Sequence, residues 1–361
     1  MAKRLIIVGL FAMTILLFSS VSIYADDDVR GDFFIKNIII NGEKIINYNL
    51  QYSVILYDET MYIPLTPEMC KIYGLKAEMD WKSHTLKLFK VDSTKKNISE
   101  NWLKNNLEPL YLNVISDAKA FACVREESYY IYDTLELVEN PEPAAEEIDL
   151  NGMPLLAKDK IVYIPLRAIC GTELFGWDIH FSNYYGICIS TDDNIPAKTY
   201  YDKGEALENK GLVNYMMRIN PTITPSYGQQ LVFLFKRAGE VYNVDPKLVM
   251  AVAHAESRFN AVSVSGGGAA GMMQVMPKTG ERYGLTSGEL MDPKTSIDFG
   301  AMYISERLIA YDGNWTLALA AYNQGSGRVN RGSYSSVYPN KVLTIYSNME
   351  NYLEDNGYVK Q

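Results

Sequence analysis

A glutamate stands at position 256 where the surrounding pattern asks for an apolar side chain. Leu248, Val249 and Val252 recur at spacings of one and three residues, and Glu256 follows four residues on, along the same face of a helix. A partly buried carboxyl without a charged partner resists ionisation. Such a group suits general-acid work near neutral pH. The nearby histidine, His254, is two residues away and falls on another face. The only other histidines, His84 and His180, pair with no Cys or carboxylate at ligand spacing, so no metal centre is expected. No cofactor motif is present either; the glycine run 266–271 lacks a following Lys-Ser/Thr, which rejects a phosphate-binding loop.

The elements that must hold Glu256 are marked in the sequence. Asp245 is a good N-cap and Pro246 suits the first helical position, where its missing N–H would be unpaired in any case. The helix gives out after Asn260 into the small-residue turn Gly266-Gly267-Gly268-Ala269-Ala270-Gly271, followed by Met272-Met273-Gln274-Val275-Met276-Pro277. Before it, residues 228–244 read as an amphipathic helix, and after it residues 278–283, 296–311, 316–322 and 338–351 read as further helices.

The N-terminal half has a different texture. Lys3 and Arg4 precede the apolar run 5–18, and Val21-Ser22-Ile23-Tyr24-Ala25 resembles a cleavage site, the layout of a secretory leader over residues 1–25. No later run reaches membrane-spanning length, so no stable span is expected once the leader is removed. The formal charge of −9 becomes two units more negative when Lys3 and Arg4 leave. An acidic chain without a basic cluster is a poor nucleic-acid binder, so no nucleic acid is expected as a partner. The cysteines, Cys70, Cys123, Cys170 and Cys188, are even in number, yet Cys70 and Cys170 sit in apolar contexts that read as free core thiols.

From residue 32 to 191 the chain is β-rich and repeats itself. IIINGEKIINYN followed by MYIPLTPEMCKIYGLKAEMDW is echoed by IDLNGMPLLAKD followed by VYIPLRAICGTELFGWDIHF. Both copies carry an Asn-Gly turn signal, Asn41-Gly42 and Asn151-Gly152, and both run into Ile-Pro-Leu. This stretch resembles the copper amine oxidase N-terminal-like domain of secreted bacterial proteins, without any copper ligand set. An insertion is expected at about residues 91–147, ending in Asn140-Pro-Glu-Pro-Ala-Ala-Glu-Glu147. The resemblance allows a wall- or partner-binding module, or a spacer. Residues 192–224, polar and holding Pro196 and Pro221, read as a linker with one helical turn.

Residues 225–361 resemble the catalytic domain of soluble lytic transglycosylases, the lysozyme-like enzymes that cleave peptidoglycan. Glu256-Ser257 stands at the family's "ES" motif and GMMQVMP at "GLMQ.MP". Asp292-Pro293 with Ser296-Ile297 and Gly300 covers "DP..NI..G", Ala320–Gly325 covers "AAYNAG", and Tyr338 falls at the late "Y…V" helix. Ala261, Ser296 and Gln324 depart from the family's common residues, and the last two leave contacts near the groove open. The resemblance implies that Glu256 is catalytic, and that Ser257, Gln274, Tyr322, Asn323 and Tyr338 bind substrate. Ser257 reads equally well as a helix-end cap, and Met272, Met273 and Met276 read as packing. The implied reaction cleaves the β-1,4 bond between N-acetylmuramic acid and N-acetylglucosamine and leaves 1,6-anhydromuramic ends. A conventional glycosidase needs a second carboxyl across the bond. None occurs between Ser257 and Gly280. A hydrolytic muramidase and a non-catalytic glycan-binding wall protein are the alternatives. The expected whole is an α+β multidomain chain: a β-rich two-repeat N-terminal domain, then an all-α lysozyme-like domain, exported and acting on peptidoglycan glycan strands.

Overall fold

The computed structural model describes residues 28–91, 107, 109–123, 129–131, 136–138 and 145–359. The expected leader, residues 1–25, lies outside them. The architecture is α+β, with the strands in the first half and a bundle of helices in the second.

Asn41 and Gly42 both take positive φ, 51° and 87°, and join the antiparallel strands Asn37–Ile40 and Glu43–Ile45 in the expected hairpin. Asn151 and Gly152 show the same backbone signs, φ 54° and 74°, but close no hairpin. Ala145–Glu147 before them pairs with Lys119–Cys123, whereas Leu155–Lys158 after them pairs with Ile161–Pro165 and Leu110–Ile115. The two Asn-Gly signals therefore occupy different places in the repeat.

Six strands close a barrel in the order Asp28–Phe33, Ile55–Tyr57, Thr60–Pro64, Ile161–Pro165, Leu155–Lys158 and Leu110–Ile115. The two Ile-Pro-Leu stretches meet at its middle, Ile63 opposite Ile164. Each copy then lends its final hairpin to the other. Thr85–Lys90 adds in parallel to Lys119–Cys123, and Gly186–Ser190 adds in parallel to Asn37–Ile40. This corrects the expected insertion at 91–147. Residues 110–123 and 145–147 are strands of the second copy, needed because Asp28–Phe33 would otherwise leave an open sheet edge. Helix α1 (Pro67–Tyr73) lies against Leu75–Asp80, and α2 (Leu166–Cys170) packs on the barrel strands Thr60–Pro64 and Ile161–Pro165. All four cysteines are free, and burial pushes the Cys70 and Cys170 thiols up to about 12.

The expected linker at 192–224 is also corrected, since it contains α3 (Lys203–Ile219). The Asp202 carboxylate caps this helix by accepting from the Gly204 and Glu205 N–H groups at 2.8 and 3.0 Å. Leu212, Val213, Tyr215 and Met216 bury themselves in the helical core. Gly211 lies against Leu353 and Tyr358, where a Cβ would come within 2.6 Å of each side chain. The prolines at 196, 221 and 225 bracket this helix without entering it.

The remaining helices are α4 (Pro225–Tyr242), α5 (Pro246–Ser257), α6 (Pro277–Arg282), α7 (Pro293–Ala310), α8 (Trp315–Gln324), α9 (Ser326–Asn330) and α10 (Val337–Asp355). Pro225, Pro246, Pro277 and Pro293 each start a helix, at the position where proline is least disruptive. The β half meets the helical half along α3 and α4. Tyr48 donates to Glu240 at 2.8 Å, Asn37 to Glu205 at 3.2 Å, and the Asn209 side-chain amide to the Tyr184 carbonyl at 2.7 Å.

Candidate active site

Helix α5 is the axis of the helical half, and its residues Leu248 to Ala253 are at most 1% exposed. Its start is fixed twice over. The Asp245 carboxylate accepts from the Lys247 N–H and from the Tyr346 hydroxyl, both at 2.8 Å. Glu256 sits in the last turn, before Arg258 and Phe259 break the helix with φ of 55° and 62°. Phe259 is 1% exposed, so its burial anchors the reversal.

The expected stripe is present, and it places Glu256 half-buried at the wall of a cavity of about 230 Å³. Burial raises its carboxyl above the ordinary glutamic range, against opposing influences from the Tyr338 hydroxyl and the Lys341 ammonium. Tyr338 Oη donates to Glu256 Oε1 at 2.5 Å. Glu256 is the one carboxylate among the described residues lining the cavity.

The other expected residues divide into three groups. Gln274, Tyr322 and Asn323 line the cavity with Glu256. Gln274 takes φ 48°, and its side-chain amide donates to the Ser263 and Gly271 carbonyls at 3.0 and 2.9 Å, bracing the glycine turn. Tyr322 donates to the Met273 carbonyl at 2.8 Å, and its phenol is held neutral by burial and by Glu256. Tyr338 touches the acid itself from α10. Ser257 stays off the cavity lining. Its Oγ lies 2.7 Å from the Met272 carbonyl and accepts from the Asn260 N–H at 3.1 Å, which makes it a tie between helix end and loop.

The loop is shaped by close backbone approach. Gly271 (φ +80°) leaves no room for a side chain, since a Cβ would lie 1.8 Å from the Leu290 carbonyl oxygen. Ser296, wholly buried, accepts from the Met273 N–H at 3.1 Å. Gln324 donates to the Ser335 carbonyl at 2.7 Å and accepts from the Ser335 N–H at 2.8 Å. Both departures from the family pattern thus became structural ties, one on the loop and one on the approach to Tyr338.

Sequence reasoning missed Ser265, Thr279, Phe299 and Tyr303, which also line the cavity. Phe299 and Tyr303 stack at 5.6 Å on α7, and their four-residue spacing was the available signal. Met272 and Met273 are wholly buried as expected, but Met276 is 49% exposed and lines the cavity. His254 keeps to another face: the Tyr215 hydroxyl lies 2.9 Å from its Nδ1, and burial lowers its pKa to about 4. A larger cleft of about 560 Å³ lies in the β half, between Trp177, Lys90 and Asp192. Several of its polar groups have partners: Asn41 bonds to Thr191, Lys90 donates to the Phe175 carbonyl, and Asp192 accepts from Asn194. Among the described residues no group of His, Cys, Asp or Glu could hold a metal ion.

The helical half, with Glu256 as the one carboxylate lining its cavity among the described residues, has counterparts among known proteins. Residues 233–338 match the family model of the transglycosylase SLT domain, and this region is homologous to lytic transglycosylases. The chain is 41% identical over 106 residues to the transglycosylase of Enterobacteria phage PRD1, covering 29% of this chain and 39% of that protein. It is 33% identical over 135 residues to the soluble lytic murein transglycosylase of Escherichia coli (strain K12), covering 35% of this chain and 21% of that protein. The crystal structure of the 70-kDa soluble lytic transglycosylase from Escherichia coli is similar at 25% identity with a TM-score of 0.28, over 43% of this chain and 30% of that one. The chain thus spans well under half the length of the relatives it matches. Among the described residues no helix is long and apolar enough to cross a membrane.

Proposed function

We propose that this chain is an exported peptidoglycan lytic transglycosylase, with Glu256 as its single acid and base. The observation that carries the reading is the lone carboxylate at the cavity wall among the described residues, its pKa raised by burial. In its acid form Glu256 protonates the oxygen leaving from C1 of the N-acetylmuramic residue, and the C1–O bond breaks. As carboxylate it then takes the proton of the C6 hydroxyl, whose oxygen bonds to C1 and closes the 1,6-anhydro ring. One carboxyl returns to its starting state and no water is consumed. The Tyr338 hydroxyl stabilises the anionic stage. Gln274, Tyr322 and Asn323 contact the sugar, and Ser257 serves the loop.

A hydrolytic muramidase would need a second carboxylate across the bond. None lines the cavity among the described residues. Mass spectrometry of digested sacculi separates the readings. The expected products carry 1,6-anhydromuramic ends; reducing muramic ends would replace the proposal by hydrolysis. Binding of sacculi without release of fragments would make the protein a glycan-binding module.

In this reading residues 1–25 are the leader and the helical unit starts at α3. The repeat module is a wall-binding unit or a spacer. Its face around Asn37, Lys44 and Tyr48 is already engaged with Glu205 and Glu240 of the helical half, so a wall partner would use another face.

A further inference from the structure

The first turn of α10 reaches α5 twice. Tyr338 and Lys341, three residues apart, lie on one face of that turn. Tyr338 meets the Glu256 side chain, while Lys341 Nζ donates to the carbonyl of Ala255 at 2.7 Å. That carbonyl belongs to the last turn of α5, where backbone acceptors lack partners within the helix. A cation there also complements the negative end of the helix dipole.

We propose that Lys341 is a positioning residue for Glu256. It ties the peptide group preceding the acid to α10, and it holds a positive charge beside the carboxyl when the carboxyl must be anionic. The claim rests on the proposed reaction only for its consequence in turnover; the tie itself is a matter of geometry.

The surroundings leave this task to Lys341. From α8 the acid faces Tyr322, from α10 Tyr338 and Lys341, and from α7 Tyr303 lines the same cavity. The 261–276 loop contributes no charge. On its own helix, His254 is neutral near pH 7, and Arg258 turns away to the Ile219 carbonyl at 2.7 Å. Lys341 is the cation that acts against the effect of burial on Glu256. A buried acid with no opposing cation would protonate the leaving group readily but stall as a base. Lys341 lets one carboxyl serve both halves of the reaction.

The test uses the full chain with Lys341→Met and Lys341→Arg. The Glu256 carboxyl is titrated by ¹³C NMR, its signal assigned by its loss in Glu256→Gln, and the pH profile of product release is recorded beside it. The expected result is an upward shift of the Glu256 titration in Lys341→Met, with the alkaline limb of the rate profile moving the same way. Lys341→Arg returns both toward wild type. Thermal unfolding confirms that each variant folds. An unchanged Glu256 titration in Lys341→Met overturns the proposal, as does a shift equally large in Lys341→Arg. If the titration shifts as expected but the wild type makes no anhydro product, the positional claim stands and the proposed reaction falls.

Discussion

The Tyr338 hydroxyl and the Glu256 carboxylate, 82 residues apart in the chain, meet at 2.5 Å. A hydrogen bond donated to a carboxylate favours its charged form. Burial favours the neutral form and is the larger influence here. Tyr338→Phe keeps the ring and deletes the donor, so Glu256 should hold its proton to higher pH. The alkaline limb of the rate profile then moves up and turnover falls about tenfold, an effect of about 1.4 kcal/mol. A limb that stays in place would detach Tyr338 from the acid.

The same raised pKa has a consequence for folding. Below about pH 4.3, the ordinary value for glutamate, Glu256 is neutral folded and unfolded alike. As pH rises through the higher folded pKa the unfolded chain ionises more easily, and stability is lost. Glu256→Gln has no such loss. Thermal unfolding at pH 4 and pH 8 should show the variant gaining on wild type at the higher pH. Its turnover should fall by a factor of about 10²–10⁴, the usual contribution of a general acid. A stability difference independent of pH would contradict a raised pKa at Glu256.

Gln324→Ala removes both hydrogen bonds to Ser335, three residues ahead of Tyr338. The residues involved are at the surface, so the loss should lower turnover more than melting temperature. Kinetics and calorimetry on the same preparation check this; equal effects on both would make Gln324 a general stabiliser.

Gly271→Ala places a Cβ against the Leu290 carbonyl at a φ of +80°. Destabilisation above about 3 kcal/mol is expected, in the range of strained or overpacked sites. Gly266→Ala, five residues earlier, meets nothing within 4 Å and should leave chemical denaturation unchanged. Equal midpoints for the two variants would refute the account of the turn.

Arg237, 3% exposed, pairs with Asp298 at 2.5 Å and lies over the Tyr48 ring at 5.6 Å. Asp298→Ala strips a buried cation of its carboxylate and should lower unfolding free energy by about 3 kcal/mol. The exposed Arg30–Asp32 pair offers the contrast, since its loss through Asp32→Ala should go undetected.

What the sequence made legible was local. The cap at Asp245, the stripe ending in Glu256 and the small residues of the turn each carry their signal within a few positions, and the structure keeps all three. Pairing across the barrel carried no such signal. Asp28–Phe33 finds Leu110–Ile115 over some eighty residues, and that partner stretch read as an insertion. Helix α3 was hidden because prolines on either side outweighed its apolar spacing. Phe299 and Tyr303 drew no notice because aromatic residues one turn apart have the same pattern whether they face a core or a cavity. Lys341 has no pattern at all: a lysine on an exposed helix face is ordinary until its carbonyl partner is known.

Helix α3 belongs to two interiors. Ala206, near its start, packs with Ile39, Tyr185 and Cys188 of the β half, while Leu212, Val213 and Met216 complete the core beneath α5. Melting either half would strip apolar cover from the other. Heating should therefore give one calorimetric peak for the whole chain, where two beads on a string would give two.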